Sequence, residues 1–263
     1  MHNAAFAALG LNWRYLGFEV HPDHLRAALA GAKAMQFAGL NLTVPHKLPA
    51  VDMVDALDAS AKTWGAVNTI LFKPAEAGGE IRVVGYNTDA DAIVTALRED
   101  LNLELRGAKV LLLGAGGAGR TAALKLASEN VAELFLVNRT PGKAEALAGE
   151  IKKQFPSVRV TIGHPPAAVD LVLNATSLGL KPGDPSPLDE KQFSLRQARA
   201  VYDMIYNPAE TALLKSARAA GCQAANGLGM LLHQGAKAFE IWTGKPAPLD
   251  VMRRALEQSI YGH

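Results

Sequence analysis

The architecture expected for this chain follows from one stretch of its sequence, Val110-Leu111-Leu112-Leu113-Gly114-Ala115-Gly116-Gly117-Ala118-Gly119. Its four leading apolar residues predict a buried strand, and a helix is predicted directly after it, over 117–128. In such a unit the first glycine permits a tight turn, the second lets the backbone approach a diphosphate, and the third lets the helix pack against the strand. The N–H groups and dipole of the helix N-terminus favour the charge of that diphosphate. The stretch therefore predicts a dinucleotide site at 114–119, and a purely structural glycine turn is the alternative.

Strand-like and helix-like segments alternate along most of the remaining chain, which is typical of α/β proteins with parallel sheets. A βα series that begins at Lys109 predicts a Rossmann-type domain with a parallel sheet, within residues 89–227. The preceding segments, which include a strand predicted over 13–20, indicate an N-terminal α/β substrate domain over 1–88. The C-terminal helices in 228–263 suit either domain by their sequence, and we assign them to the first.

Composition and charge restrict the partners of the chain. The 27 basic and 25 acidic residues are interspersed and give a net charge of +2, so no block of charge predicts a nucleic-acid surface. No apolar run approaches the ~20 residues of a membrane span. Cys222 is the single cysteine, which excludes an internal disulfide framework or a cysteine metal cluster and favours a reducing compartment. We therefore predict a cytoplasmic protein, monomeric or homodimeric, that binds small molecules and neither nucleic acid, membrane nor metal.

The residues after the next predicted strand distinguish NAD from NADP. Enzymes that use NAD usually place an acidic residue there, where it binds the ribose 2′-hydroxyl. This chain has Asn138-Arg139-Thr140-Pro141-Gly142-Lys143 instead. The planar guanidinium of Arg139 and the ammonium of Lys143 suit a 2′-phosphate dianion. The sequence therefore predicts NADP as the cofactor, and the alternative is that Arg139 and Lys143 form a solvated charged face.

Three polar motifs lie at the ends of other predicted strands: Asn41-Leu-Thr43-Val-Pro-His-Lys47, Ala66-Val-Asn68-Thr69 and Asn87-Thr88-Asp89. Ligands of α/β proteins bind at strand ends, so these compact hydrogen-bonding groups indicate a substrate site. Simpler roles stay open for them. Asp89 could serve only as a helix N-cap, and Lys47 could be a surface lysine.

In their order along the chain, these motifs resemble those of the shikimate dehydrogenase family. Further matches are Asn174-Ala-Thr-Ser177, Met204-Ile-Tyr206, and Asn226-Gly-Leu-Gly-Met230 with Gln234. The resemblance extends from Met1 to the C-terminus. It implies an NADP-dependent, reversible reduction of 3-dehydroshikimate to shikimate, a step of aromatic amino-acid biosynthesis.

The resemblance also implies roles for individual residues. Lys47 and Asp89 are the implied catalytic pair, in which the ammonium group protonates the substrate oxygen while hydride adds to the carbon. The implied substrate contacts come from Thr43, Asn68, Tyr206 and Gln234; a core aromatic and a polar helix face are the alternatives for the last two. The implied cofactor contacts come from the glycine motif, from the segment after the second strand and from two residues near the nicotinamide: Gly114, Ala115, Gly116, Gly117, Ala118, Gly119, Asn138, Arg139, Thr140, Lys143, Met204 and Gly227.

The chain departs from the family pattern at its start. Family members begin with a strand and a Ser-x-Ser-Pro turn before the residues that match Met1, and the two serines help to hold the substrate carboxylate. These 263 residues contain neither, either because the start codon is placed too late or because the protein lacks the segment. The resemblance therefore implies normal cofactor binding and weak substrate binding for these 263 residues. Two other hypotheses stay open: a quinate/shikimate dehydrogenase of broader specificity, and a non-catalytic ligand-binding regulator on the same fold.

Overall fold

The structure is a computed structural model that describes residues 1–74, 79–181 and 183–262. Residues 75–78, 182 and 263 belong to the predicted domain ranges and lie outside the described residues. The helices are α1 (His2–Ala8), α2 (Leu25–Ala34), α3 (Ala59–Trp64), α4 (Asp89–Leu101), α5 (Gly117–Ser128), α6 (Pro141–Gln154), α7 (Ala212–Ala219), α8 (Leu228–Thr243) and α9 (Leu249–Tyr261). The strands are β1 (Gly39–Asn41), β2 (Ala56–Leu57), β3 (Thr69–Lys73), β4 (Arg82–Tyr86), β5 (Lys109–Leu113), β6 (Glu133–Val137), β7 (Arg159–Ile162), β8 (Val169–Asn174), β9 (Ala198–Asp203) and β10 (Gln223–Asn226).

Backbone contacts divide the chain into two units. The first unit comprises Met1–Asp89 and Leu232–His263, and the second comprises Ala90–Leu231. Helix α9 and most of α8 therefore belong to the first unit. The second unit contains the glycine motif and the strands from β5 to β10.

The second unit contains a sheet whose described strands have the order β10-β9-β8-β5-β6-β7, and every neighbouring pair is parallel. This confirms the predicted α/β fold with a Rossmann-type parallel sheet. β5 is buried from Val110 to Leu113, as apolar strands inside parallel sheets are. The chain passes from β5 to β6 on one side and later returns to β8 on the other. Ligands of such sheets bind at the carboxyl ends of the strands, beside this reversal.

The first unit contains a smaller mixed sheet, whose described strands have the order β1-β3-β4-β2. β3 pairs antiparallel with β1 and β4, and β2 pairs in parallel with β4. Ile70 and Phe72 of β3 join an apolar core with Leu25 and Leu29 of α2. Helix α8 contacts β3 through Trp242, whose indole Nε1 donates to the carbonyl oxygen of Ile70 at 2.9 Å. This bond fixes α8 on the sheet that carries the polar strand ends.

The strand predicted over residues 13–20 is wrong, because the structure has no strand there. A side chain binds this backbone instead: Asn3 Oδ1 accepts from the Tyr15 N–H at 2.7 Å, and Asn3 Nδ2 donates to the Tyr15 carbonyl at 3.0 Å. A strand needs such bonds repeated along a neighbouring backbone, and none of the described strands pairs with this segment. Leu16 and Phe18 are accordingly exposed.

His2, the first residue of α1, is buried against aromatic rings. Its ring centroid lies 4.4 Å from that of Tyr15 and 5.3 Å from that of Trp242. Burial lowers the pKa of His2 from 6.5 to about 4, and the positive charge of the Met1 amino group adds to the shift. Among the described residues, none forms a hydrogen bond with His2 Nδ1. The folded chain therefore favours the neutral imidazole.

We expect the free energy of unfolding to fall as the pH decreases from 6.5 to 4. Between these values the unfolded chain binds a proton at His2 that the folded chain does not bind, so stability is lost as the pH falls. A shift of this size corresponds to about 3 kcal/mol. Urea unfolding at neutral pH and near pH 4 should show a loss for the wild-type chain that is smaller in His2→Phe by about 3 kcal/mol. Equal losses in both chains would assign the titration to another group.

Candidate active site

Lys47 and Asp89 form an ion pair in the first unit. Lys47 Nζ lies 2.8 Å from Asp89 Oδ2, and the two side chains are 28% and 13% exposed. Lys47 follows a turn that is closed by a 2.9 Å bond from the His46 N–H to the Thr43 carbonyl. Asp89 is the first residue of α4. The structure thus brings together the two residues predicted as a catalytic pair, in a partly desolvated position that solvent still reaches.

Asn68 binds the second carboxylate oxygen of this pair. Its Nδ2 donates to Asp89 Oδ1 and to Thr88 Oγ1, both at 2.9 Å, and its Oδ1 accepts from the Thr88 N–H at 2.8 Å. Asn87 Oδ1 accepts from the Asp89 N–H at 3.1 Å, which is a cap contact for α4. The carboxylate of Asp89 is therefore bound to Lys47 and to Asn68, an arrangement that a helix N-cap alone does not require.

Thr88 belongs to this network, although the sequence interpretation gave it no role. The residue is buried, and its hydroxyl lies 3.4 Å from the hydroxyl of Thr69 as well as accepting from Asn68. Buried polar groups in a fully bonded network hold one another in a single arrangement. The sequence feature that could have identified Thr88 was the polar run directly after β4. A threonine directly before Asp89 at a strand end is positioned to bind the groups that hold this carboxylate.

The other predicted substrate residues have separate locations. Thr43 is exposed at the start of the turn that leads to Lys47. Gln234 is half-buried on the part of α8 that belongs to the first unit. Tyr206 follows β9 in the second unit and is 37% exposed, so it is not a core aromatic. Asn41 is a framework residue, since its side-chain amide donates to the hydroxyl of Thr69 at 3.0 Å.

The glycine motif forms a tight turn between β5 and α5. Gly114 has a φ of +104°, a conformation that L side chains rarely adopt. A Cβ at Gly119 would lie 2.1 Å from the carbonyl oxygen of Gly114, so the first turn of the helix packs directly on the strand end. The Ala115 N–H donates to Asn138 Oδ1 at 2.9 Å, and Asn138 Nδ2 donates to the Thr140 carbonyl at 2.8 Å. Asn138 therefore joins the glycine turn to the end of β6.

The N-terminus of α5 has the composition of an anion site. The helix begins at Gly117, its N-cap residue is Gly116, and Ala118 follows in the first turn. No side chain caps this helix start among the described residues. Backbone N–H groups and the helix dipole then favour a bound anion such as a diphosphate.

The segment after β6 carries cations and no acid. Arg139 and Lys143 are both exposed, and Lys143 lies in the first turn of α6, which begins at Pro141. Within the described part of the chain, neither forms an ion pair. The two cations therefore have the exposure and the position that the predicted contact with a 2′-phosphate requires.

A buried carboxylate, Asp203, organises the end of β9, and the sequence interpretation missed it. Its Oδ2 accepts from Thr211 Oγ1 at 2.6 Å, and its Oδ1 accepts from Asn174 Nδ2 at 2.9 Å and from the Ile205 N–H at 3.1 Å. Burial raises the pKa of Asp203, and these three bonds oppose the rise. The network fixes the backbone on both sides of Met204. The sequence feature that could have identified Asp203 was an acidic residue at the end of an apolar strand.

Gly227 packs against the same backbone segment. A Cβ at this position would lie 2.2 Å from the carbonyl oxygen of Met204, and the Gly227 N–H donates to the Ile205 carbonyl at 3.1 Å. Only glycine fits such a close approach without moving the backbone. The structure thus brings together Met204 and Gly227, the two residues predicted near the nicotinamide.

Residues 1–74, 79–181 and 183–262 contain neither a cluster of metal ligands nor a membrane-spanning helix. No group of three or more His, Cys, Asp or Glu side chains is arranged to hold a metal ion. No helix in these ranges has the length and apolarity needed to cross a bilayer.

The parallel sheet, its glycine turn and a lysine–carboxylate pair on the other unit define a dinucleotide-dependent α/β oxidoreductase. Residues 1–70 match the shikimate dehydrogenase substrate binding domain, residues 96–178 match shikimate / quinate 5-dehydrogenase, and residues 227–257 match the shikimate 5′-dehydrogenase C-terminal domain. The chain belongs to the shikimate dehydrogenase family.

Similar proteins extend over nearly the whole chain. The shikimate dehydrogenase (NADP(+)) of Moorella thermoacetica is 45% identical over 99% of this chain and 88% of its own length. That of Methanopyrus kandleri is 41% identical over 99% of this chain and 90% of its own length. The crystal structure of shikimate 5-dehydrogenase from Thermus thermophilus, in complex with NADP(H) and shikimate, is similar with a TM-score of 0.83. It is 35% identical and covers 98% of this chain and 92% of its own.

Proposed function

We propose that this chain catalyses the NADP-dependent, reversible reduction of 3-dehydroshikimate to shikimate. The observation that carries the proposal is the bonded arrangement of Lys47, Asp89 and Asn68 in the first unit. The relatives at 41% and 45% identity support it by their activity. The related structure that holds NADP(H) and shikimate supports the pairing of cofactor and substrate.

The proposed chemistry depends on where charge develops. Reduced NADP, when bound, supplies hydride to a carbonyl carbon, and the carbonyl oxygen then needs a proton. Lys47 donates that proton from its ammonium group, which also stabilises the developing negative charge. Asp89 orients the ammonium group from 2.8 Å, and Asn68 fixes the carboxylate from its other oxygen.

Specificity in this proposal comes from polar groups that pair with substrate hydroxyls and with its carboxylate. Thr43, Asn68 and Gln234 in the first unit and Tyr206 in the second are the proposed contacts. A site built to bind hydroxyl groups rejects analogues that lack them, because its own polar groups are then left unpaired. Removing any one of these contacts should therefore affect substrate binding more than cofactor binding.

The residues of the second unit fit NADP. The turn at Gly114 and the close approach at Gly119 leave the N-terminus of α5 for the diphosphate. Asn138 is bonded to the Ala115 N–H and to the Thr140 carbonyl, and these bonds hold the backbone that follows β6 beside the glycine turn. The proposed contacts of the 2′-phosphate are Arg139 and Lys143. Met204 and Gly227 are the proposed contacts near the nicotinamide.

Arg139→Ala should separate NADP binding from NAD binding. A hydrogen bond to a charged group is worth roughly 1.5–3 kcal/mol, so the Kd of NADP should rise more than about tenfold. The Kd of NAD should barely change, because it lacks the 2′-phosphate. Fluorescence titration with each reduced cofactor measures both values. An equal loss for the two cofactors would remove Arg139 from the 2′-phosphate site.

Steady-state turnover tests the proposed function and its alternatives. The wild-type chain should oxidise shikimate with NADP, and the ratio of kcat/KM for shikimate and quinate measures the breadth of its specificity. Comparable values would favour a quinate/shikimate dehydrogenase, which the matched family description also includes. Binding of shikimate without turnover would favour the non-catalytic regulator. The retained pair of Lys47 and Asp89 argues against that regulator.

A further inference from the structure

A cleft lies between the glycine turn and α6, and it contains a cation that the proposed function does not use. Arg120, in the first turn of α5, lines one wall of this cleft, and Lys143 and Glu150 of α6 line the other. All the lining residues belong to the second unit. They are Ala115, Arg120, Lys143, Ala146, Leu147 and Glu150.

Arg120 is held in a fixed orientation. Its Nε donates to Glu150 Oε2 at 2.9 Å and its Nη2 donates to Glu150 Oε1 at 2.5 Å, the two-bond geometry that a guanidinium forms with a carboxylate. Gln154 Nε2 donates to the same Oε1 at 3.1 Å and steadies the carboxylate. The side chains of Arg120 and Glu150 are 31% and 26% exposed, so the pair is partly desolvated.

The charges of the cleft suit a phosphate. Two cations, Arg120 and Lys143, face one carboxylate, Glu150, so the lining has a net charge of +1. A phosphate monoester carries a charge between about −1.5 and −2 at neutral pH. Lys143 is a proposed contact of the 2′-phosphate, and it lines the same cleft as Arg120. A phosphate bound by Lys143 in this cleft is therefore near Arg120.

We propose that Arg120 is a further recognition group for the 2′-phosphate of NADP. This inference rests on the proposed cofactor. Glu150 positions the guanidinium, and the positioned guanidinium binds the phosphate together with Lys143. A cation held by a carboxylate loses less side-chain freedom when a ligand binds than a solvated cation does. Arg120 therefore contributes to the discrimination between NADP and NAD.

The test uses the full chain and four ligands: NADP, NAD, 2′,5′-ADP and 5′-AMP. Arg120→Met should raise the Kd of NADP and of 2′,5′-ADP about tenfold and change the Kd of NAD and of 5′-AMP less than about twofold. Arg159→Met is the matched control, since Arg159 also pairs with a glutamate of the second unit, Glu133, at 3.5 Å but does not line the cleft. It should leave all four values unchanged.

A double variant separates a direct contact from an indirect effect. Arg120→Met leaves the charge of Glu150 unbalanced, and that charge alone would repel a phosphate. Arg120→Met/Glu150→Gln removes both charges, and the loss of 2′,5′-ADP affinity should persist at about fivefold or more. Recovery of wild-type affinity in the double variant, or an equal loss of NAD affinity in the single one, overturns the proposal.

The wild-type chain separates this inference from the cofactor proposal. If the wild-type chain prefers NADP and Arg120→Met keeps that preference undiminished, the role of Arg120 is refuted while the cofactor proposal stands. A wild-type chain that binds NADP and NAD equally refutes the cofactor proposal and this inference together. Thermal unfolding of each variant shows whether it folds, and 5′-AMP binding shows whether its adenosine site is intact.

Discussion

Lys47→Ala is expected to lower kcat for shikimate oxidation by about 100-fold or more, which is the usual scale for a general acid–base group. Alanine removes the group that exchanges the proton with the substrate oxygen and also removes a positive charge beside it. The Kd of NADP should stay near its wild-type value, because Lys47 belongs to the first unit and the proposed NADP phosphate contacts to the second. A kcat near that of the wild-type chain would show that the proton comes from another group.

Asp89→Ala should have an effect of similar size for a different reason. Without the carboxylate, the ammonium group loses the bond that orients it at 2.8 Å, and Asn68 loses the acceptor of one N–H. Groups that act as a unit give losses that do not multiply. The double variant should therefore be only slightly slower than the slower single variant. Fully multiplicative losses would mean that the two residues do not work as a pair.

Lys47→Arg is the control that separates charge from proton transfer. The guanidinium keeps a positive charge and can bind Asp89, but it does not release its proton at accessible pH. The variant should keep the wild-type stability and most of its affinity for shikimate while its kcat falls nearly as far as in Lys47→Ala. A kcat close to the wild-type value would assign Lys47 an electrostatic role only.

The elements that local chemistry specifies were predictable from the sequence. The apolar run of β5 and the glycines after it define a strand, a turn and a helix within ten residues, so the parallel sheet followed from them. The pairing of Lys47 with Asp89 was predictable from the resemblance to the shikimate dehydrogenase family. Their distance was not, since it depends on the turn before Lys47 and on Asn68.

The features that the sequence did not reveal depend on partners distant along the chain. The segment 13–20 has the composition of a strand, but strand formation depends on a neighbouring backbone that pairs with it. Asp203 receives its hydrogen bonds from β8, from the start of α7 and from the backbone beside it. Arg120 has its carboxylate partner on a different helix. In each case the missing information is a tertiary contact, which local patterns do not encode.

Gly119→Ala is expected to damage the cofactor site severely. The added Cβ would lie 2.1 Å from the carbonyl oxygen and 2.9 Å from the carbonyl carbon of Gly114, and both are backbone atoms that no side-chain rotation can move away. Relieving this overlap displaces the turn or the start of α5, which costs roughly 1–3 kcal/mol of stability. The same displacement moves the N–H groups proposed to bind the diphosphate. The Kd values of NADP and NAD should therefore both rise, by about 100-fold.

Gly149→Ala is the matched control for this substitution. Gly149 lies in α6 of the same unit, and a Cβ there meets no atom within 4 Å. Alanine favours a helix over glycine by about 0.5–1 kcal/mol, so this variant should bind both cofactors normally and unfold at a slightly higher urea concentration. Equilibrium unfolding and titration with both cofactors measure the two variants side by side.

If Gly119→Ala bound NADP as the wild-type chain does, the close approach of α5 to Gly114 could not be a requirement of the cofactor site. A loss confined to NADP would also contradict the argument, because the diphosphate is common to NADP and NAD.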